Sequence, residues 1–234
     1  MTLKYIKNIK QQTPIDIIIP AAGLGRRMKS YGPKSLIKIK KNLTVIDHQL
    51  KIIKNTIPNA NIILVSGFES DYLMNNTPND IIKVENERYE QTNVVRSIGL
   101  GLRASQRDVL IIYGDLVFNS ECIENINFNR SSILIGDNMM KESEVGCIFN
   151  NSDKLESMMY DLEHKWSQMI FLKGKELEIF KKICWNTDNY SMFGFEAIND
   201  LLSMGGIVNV CHHKDAKAID IDSSKDLEKV SQIL

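Results

Sequence analysis

Residues 17–39 read IIIPAAGLGRRMKSYGPKSLIKI, and the rest of the chain is organised around them. Ile15, Ile17, Ile18 and Ile19 form an apolar run that reads as a buried strand. Pro20 ends the strand, and Ala21-Ala22-Gly23-Leu24-Gly25 follows, a mostly small run that lets backbone come close to a ligand. Turn N–H groups in such a loop make a concavity for anions, and a helix start just beyond would add its positive end. Arg26, Arg27 and Lys34 then bring cations within reach of the loop. Pro33 stiffens the chain just before Lys34. A polyphosphate is the natural ligand.

Three phosphate-loop patterns compete for this stretch. The dinucleotide fingerprint needs a third glycine where Met28 stands. Asp47 lies at a suitable distance for a ribose contact, but it sits in Val45-Ile46-Asp47-His48-Gln49, which reads better as a helix start. The pattern G-x-x-x-x-G-K-[ST] fails by one residue, again at Met28. The third pattern fits throughout. A-A-G-x-G-x-R-M, a short spacer and P-K-x-L resembles the signature of nucleotidyltransferases that couple an NTP to a small phosphorylated acceptor. Ala21, Ala22, Gly23, Gly25, Arg27, Met28, Pro33, Lys34 and Leu36 carry that resemblance.

The length, 234 residues, suits one α/β domain with a small insertion. Lys+Arg and Asp+Glu are both 29, so the formal net charge is zero, which argues against a nucleic-acid or membrane surface as main partner. Cys122, Cys147, Cys184 and Cys211 are scattered and form no C-x-x-C pair, as expected of buried, reduced thiols in a cytoplasmic protein. No apolar stretch approaches membrane-spanning length, and residues 1–14 are too basic and polar for a signal peptide. They read as a short N-terminal extension.

Along the chain, 35–40 alternates as a short strand. Residues 45–57 carry Ile46, Leu50, Ile53 and Ile57 at helical spacing, stopped by Pro58. A strand at 61–66, a helix at 70–75, a strand at 81–84, a helix at 94–104 and a strand at 108–113 follow. Strands alternating with helices imply a mostly parallel, doubly wound sheet covered on both faces. Beyond residue 127 the pattern changes. Short strands at 133–135, 145–149, 155–160 and 169–172 read as an antiparallel extension (about 129–175) of the single domain 1–234. A helix at 176–183, another reaching 202, strands at 208–212 and 217–222, and a closing helix at 223–234 complete the reading.

The strand at 108–113 delivers Gly114 and Asp115 at its carboxyl end, the edge that holds ligands in open α/β sheets. In the resembling family the G-D-x-x-F step, here Gly114, Asp115 and Phe118, carries the magnesium-binding aspartate. Magnesium prefers oxygen ligands and is usually held by one or two carboxylates plus substrate phosphates. In 218–222 (AIDID), Ile219 and Ile221 share one face and Asp220 and Asp222 the other. The bland reading is a helix cap completed by Ser223 and Asp226. The family reading makes Asp222 the second metal ligand and Asp220 an acceptor contact. His48, His164, His212 and His213 show no metal-ligand spacing.

The run N-x-x-Y-x-x-T-N-x-x-x-S (Asn86, Tyr89, Thr92, Asn93, Ser97) and the ending DIDSSKDLEKVSQIL resemble the phosphocholine cytidylyltransferase subgroup. The resemblance covers most of the chain and is loose between Asn129 and Phe180. It implies a nucleotide-diphospho-sugar transferase fold (GT-A-like, Rossmann-type) and a cytoplasmic, Mg²⁺-dependent enzyme, monomer or homodimer. The reaction it implies moves a nucleotidyl group, CMP from CTP, onto a phosphocholine-like phosphate, an aminoalkyl phosphonate or a phosphorylated amino-acid derivative. Ala21, Ala22, Gly23, Gly25, Arg27, Asn93 and Ser97 would bind the nucleotide, with Arg27 and Lys34 catalytic. Lys34, Tyr89, Trp185, Tyr190 and Asp220 would face the acceptor, the two late aromatics forming a cage for its ammonium with Asp188 nearby. A sugar-1-phosphate nucleotidyltransferase and a catalytically silent nucleotide-binding module are the alternatives. A glycosyltransferase is disfavoured because Asp115-Leu116-Val117 lacks the second aspartate of D-x-D.

Overall fold

The computed structural model describes residues 14–25, 32–136 and 144–234. In chain order its first half holds β1 (Asp16–Pro20), β2 (Lys38–Lys40), β3 (Leu43–Thr44), α1 (Val45–Thr56), β4 (Asn61–Ser66), α2 (Ser70–Asn75), β5 (Ile82–Glu85), α3 (Val94–Ala104), β6 (Val109–Ile112), β7 (Leu116–Phe118) and α4 (Ser120–Glu124). Then come β8 (Ser132–Ile135), β9 (Val145–Phe149), β10 (Leu155–Tyr160), β11 (His164–Leu172), α5 (Gly174–Trp185), α6 (Gly194–Ser203), β12 (Asn209–His212), β13 (Ala218–Asp220) and α7 (Ser224–Lys229).

The apolar run of β1 is buried from end to end, and the strand pairs in parallel with β4 on one side and β6 on the other. Parallel pairing of β4 with β5 extends this half of the sheet. Such strands must be apolar on both faces. Ile18 points into a core shared with Ile98 of α3 and Phe180 of α5, whereas Ile17 and Ile19 point into one shared with Ile46 and Ile53 of α1. The fold is thus an α/β, mostly parallel doubly wound sheet of the Rossmann type, with small antiparallel additions.

α1 starts where the sequence reads a helix start, because Thr44 and Asp47 form a reciprocal capping box. That role uses the Asp47 carboxylate, which accepts from the Thr44 N–H at 3.1 Å.

Three local expectations change. Residues 34–36 form a 3-10 turn, and only Lys38–Lys40 is a strand, paired with the two-residue β3. The strands expected at 133–135, 145–149, 155–160 and 169–172 do pair antiparallel, but they continue the main sheet through β6, and the last of them begins earlier, at His164. The reason is the length of β11: its C-terminal part pairs with β6 and its first residues with β9, so one strand serves both regions. β8 joins β11 antiparallel and β12 parallel. The closing helix α7 ends at Lys229 and passes into a 3-10 turn at Val230–Gln232. All four cysteines are free, and burial pushes the Cys122 and Cys147 thiols up to about 12. Among the described residues, no helix is long and apolar enough to cross a membrane. The expected extension at residues 1–13 lies outside the described residues.

Candidate active site

β6 ends at the sheet edge, and the chain turns at once through Tyr113, Gly114, Asp115 and Leu116. Glycine is required at the second position. A Cβ on Gly114 would lie 2.7 Å from the Ala21 Cβ and 2.9 Å from the Pro20 carbonyl oxygen, to which the Gly114 N–H donates at 3.1 Å. Gly67 has the same cause: a Cβ there would meet Ala22 and Tyr89 side chains at 2.7 Å. These contacts seat the 20–25 loop between the ends of β4 and β6.

The turn carbonyls are tied from separate parts of the chain. The Gly114 carbonyl accepts from the Ser35 hydroxyl at 2.8 Å, and the Asp115 carbonyl accepts from the Ile221 N–H at 2.9 Å. Ser35 follows Lys34 and Ile221 precedes Asp222, so these two bonds draw both charged residues toward Asp115. Lys34 Nζ lies 3.0 Å from Asp115 Oδ2 and also pairs with Asp222 Oδ1. Asp222 is released for this contact because the cap of α7 is built by its neighbours. The Ser223 N–H and hydroxyl both donate to Asp226 Oδ2 at 2.9 Å.

Burial alone would lower the Lys34 pKa, but the two carboxylates more than offset it, and the ammonium is held above the usual lysine range. Burial raises the Asp115 pKa, with the Lys34 charge opposing. The three formal charges sum to minus one, so two carboxylates converge on a point that carries one positive charge. That donor set fits a hard divalent cation such as Mg²⁺, completed by phosphate and water oxygens. Among the described residues no group of three or more metal-ligating side chains gathers.

Two cavities meet at Asp222, one member of this triad. The first, about 430 Å³, is bordered by Ala21, Ala22, Gly23, Gly25, Lys34 and Asp115. Tyr89, Asn93 and Ser97 form its far wall. Asn93 caps α3, its side chain accepting from the Val94 N–H at 2.8 Å, and it also borders the cavity. Ser97 is held by Asn86, whose amide donates to Ser97 and Thr92 hydroxyls at 3.1 Å. Tyr89, expected on the acceptor side, stands in this first cavity instead, because Phe68 packs edge-on against it beside Gly67. Arg27 lies outside the described residues.

The second cavity, about 510 Å³, shares Asn93, Val94, Tyr113 and Asp222 with the first. Tyr160, Trp166, Phe193 and Phe195 give it aromatic walls. Lys165 is buried among them, 2.6 Å from Glu144 and 3.1 Å from Asp220. Asp220 and Asp222 both border this cavity, although the strand expected at 217–222 covers only Ala218–Asp220 and leaves Asp222 beyond its end.

The cage expected from Trp185 and Tyr190 is not assembled. Neither residue borders either cavity. The Trp185 indole N–H donates to the Gly99 carbonyl at 3.0 Å, docking the end of α5 on α3. The Tyr190 ring lies 4.3 Å under the Arg96 guanidinium. Its backbone carbonyl instead accepts from the Asn93 N–H at 2.7 Å. Sequence reasoning missed Ser35, Glu144, Tyr160 and Lys165. Lys165, beside Trp166 near the start of β11, was the one available signal.

Residues 17–130 match the family model for the MobA-like NTP transferase domain. No protein of curated function matches the chain by sequence. Among solved structures, a CTP:phosphocholine cytidylyltransferase from Streptococcus pneumoniae superposes with a TM-score of 0.77 at 20% identity, over 94% of this chain and 99% of the other. An inositol-1-phosphate CTP transferase from T. maritima gives 0.75 at 17% identity, over 95% and 97%. A UDP-glucose pyrophosphorylase from Acinetobacter baumanii gives 0.70 at 12% identity, over 93% and 92%. These likenesses establish the fold.

Proposed function

We propose, from the match of residues 17–130 to the MobA-like NTP transferase domain, that this chain moves a nucleotidyl group from an NTP, with CTP favoured, to a small phosphorylated acceptor carrying a cationic head. The observation that carries the reading is Lys34 in the first cavity, paired with Asp115 and with Asp222, the aspartate that borders both cavities.

An acceptor phosphate oxygen attacks the α-phosphorus, the bond from that phosphorus to the bridging oxygen breaks, and pyrophosphate leaves. No protein nucleophile is required, because the acceptor is already an anion at neutral pH. Two anions must nevertheless approach each other, and fixed charge lowers that barrier. Lys34 can turn from its carboxylates to the phosphates on either side. The small residues 21–25 admit the nucleotide phosphates, Asn93 and Ser97 face the base, and Arg27 is assigned to the departing phosphates. Asp115 and Asp222 would hold Mg²⁺, which supplies charge neutralisation on the phosphates when bound.

The second cavity suits an ammonium. An aromatic face contributes about 0.5–2 kcal/mol per good cation contact, and Tyr160, Trp166, Phe193 and Phe195 offer such faces beside Glu144 and Asp220. The preference for CTP leans on the cytidylyltransferases of the same fold. Pyrophosphate release measured over four NTPs and a panel of phosphocholine, aminoethylphosphonate, phosphoserine and glucose 1-phosphate tests the reading. CTP with an amine-bearing acceptor should give the highest kcat/KM. Preference for glucose 1-phosphate would overturn the acceptor class alone, and NTP binding without pyrophosphate for any acceptor would overturn the reaction.

A further inference from the structure

Gln49 has no exposed surface, yet it is a polar residue on the core-facing side of α1. Its amide nitrogen donates to the Tyr113 carbonyl at 2.9 Å and to the Leu116 carbonyl at 2.8 Å. Those are the first and last residues of the turn that carries Asp115. The turn's own closing bond, from the Leu116 N–H to the Tyr113 carbonyl, is long at 3.3 Å. One –NH₂ group therefore clamps both ends of a turn that closes itself weakly. The amide oxygen is buried and has no hydrogen-bond partner among the described residues. An unpaired buried acceptor is costly, and leucine or methionine would fill this core position without it. The two donors are what glutamine adds. His48 supports the same segment further on, its Nε2 lying 2.7 Å from the Phe118 carbonyl.

We propose that Gln49 is a positioning residue for Asp115: by bridging the Tyr113 and Leu116 carbonyls it fixes the turn in the form that aims the Asp115 carboxylate at Lys34 and Asp222, and thereby sets divalent-metal affinity in the nucleotide complex. The proposal rests on the reading of this triad as the centre of nucleotidyl transfer. Ser35 and Ile221 hold the middle of the turn; Gln49 holds its ends. Without it, the ends are free to shift while the core of α1 stays packed. Small displacements of this kind are expensive for a charge that must meet a ligand at a set distance.

The test uses Gln49→Met, which keeps the volume and removes both donors, and Gln49→Asn, which keeps an amide too short to bridge the two carbonyls. Mn²⁺ binding is measured by electron paramagnetic resonance on the full chain with the non-cleavable α,β-methylene analogue of CTP, and the Mg²⁺ requirement of pyrophosphate release alongside it. Both variants should bind Mn²⁺ about tenfold more weakly, and raising Mg²⁺ should restore much of the lost turnover. Ile53→Val, a core change on the same helix, should leave the metal requirement unchanged. Folded Gln49 variants with wild-type Mn²⁺ affinity would overturn the proposal alone. Wild-type protein that neither binds Mn²⁺ with the analogue nor releases pyrophosphate would overturn the reading of the site, and the proposal with it.

Discussion

The two cavities are built in different ways. The first is lined in large part by small residues at turns and element ends: the 20–25 loop after β1, the 113–115 turn after β6 and the start of α3. The second is lined mostly by larger side chains, including Glu144, Tyr160, Lys165, Phe195 and Asp220. On the proposed reading the first cavity takes the triphosphate and the second the acceptor.

The largest expected effect falls on the junction. Lys34→Ala should lower kcat by about 10²–10³ with a smaller change in nucleotide binding, because its charge meets both phosphates most closely as they converge. Steady-state kinetics checks this, and near-normal turnover in Lys34→Ala would dissolve the boundary between the cavities as a functional centre. The aspartates sharpen the boundary next. Asp222→Asn should nearly abolish turnover and raise the Mg²⁺ requirement, whereas Asp220→Asn, at the carboxylate paired with Lys165, should be the milder change. The reverse order would exchange their roles.

A smaller effect tests the acceptor side. The Tyr160 ring packs edge-on against Phe195 with centroids 5.2 Å apart. Tyr160→Ala should raise KM for an amine-bearing acceptor about 2- to 30-fold while KM for the nucleotide holds, the range expected from loss of one cation–aromatic contact. Trp185→Phe is the matching control: it should cost about 0.5–1.5 kcal/mol of stability from one lost hydrogen bond and leave both KM values alone.

The last effect concerns pH. Burial lowers the His48 pKa below 6.5, the Phe118 carbonyl opposes, and Lys51 and Lys40 lower it further. The unfolded chain therefore takes up this proton before the folded one does. The stability gained from neutral His48 is present above about pH 6.5 and is lost as pH falls toward its depressed value, by up to about 1.4 kcal/mol per pH unit. Thermal melts from pH 7 to 5 should show this decline, and His48→Gln should flatten it.

The same contrast explains what the sequence made legible. β1, the loop, α1, α3 and β6 announce themselves because apolar period, punctuation by Pro and Gly, and a capping box act over a few residues. Asp115 and Lys34 were readable because they stand in the same local motifs. The second cavity was not, since whether Phe195 or Trp185 faces it depends on how α5 and α6 dock on α3 and on β10. Both candidate aromatics lie in one stretch of polar and aromatic residues, and only the docking separates them. β11 was read too short, at 169–172, because His164, Lys165, Ser167 and Gln168 interrupt the apolar pattern in its first half. Gln49 was visible in the sequence as part of a helix start, but its two carbonyl partners lie some 65 residues away.

The most direct measurement is ³¹P nuclear magnetic resonance of wild-type protein incubated with CTP, Mg²⁺ and phosphocholine. The account predicts free pyrophosphate together with the coupled pair of signals from a new diphosphate diester, in equal amounts. Orthophosphate in place of pyrophosphate, or an unchanged spectrum with CTP bound, would contradict it.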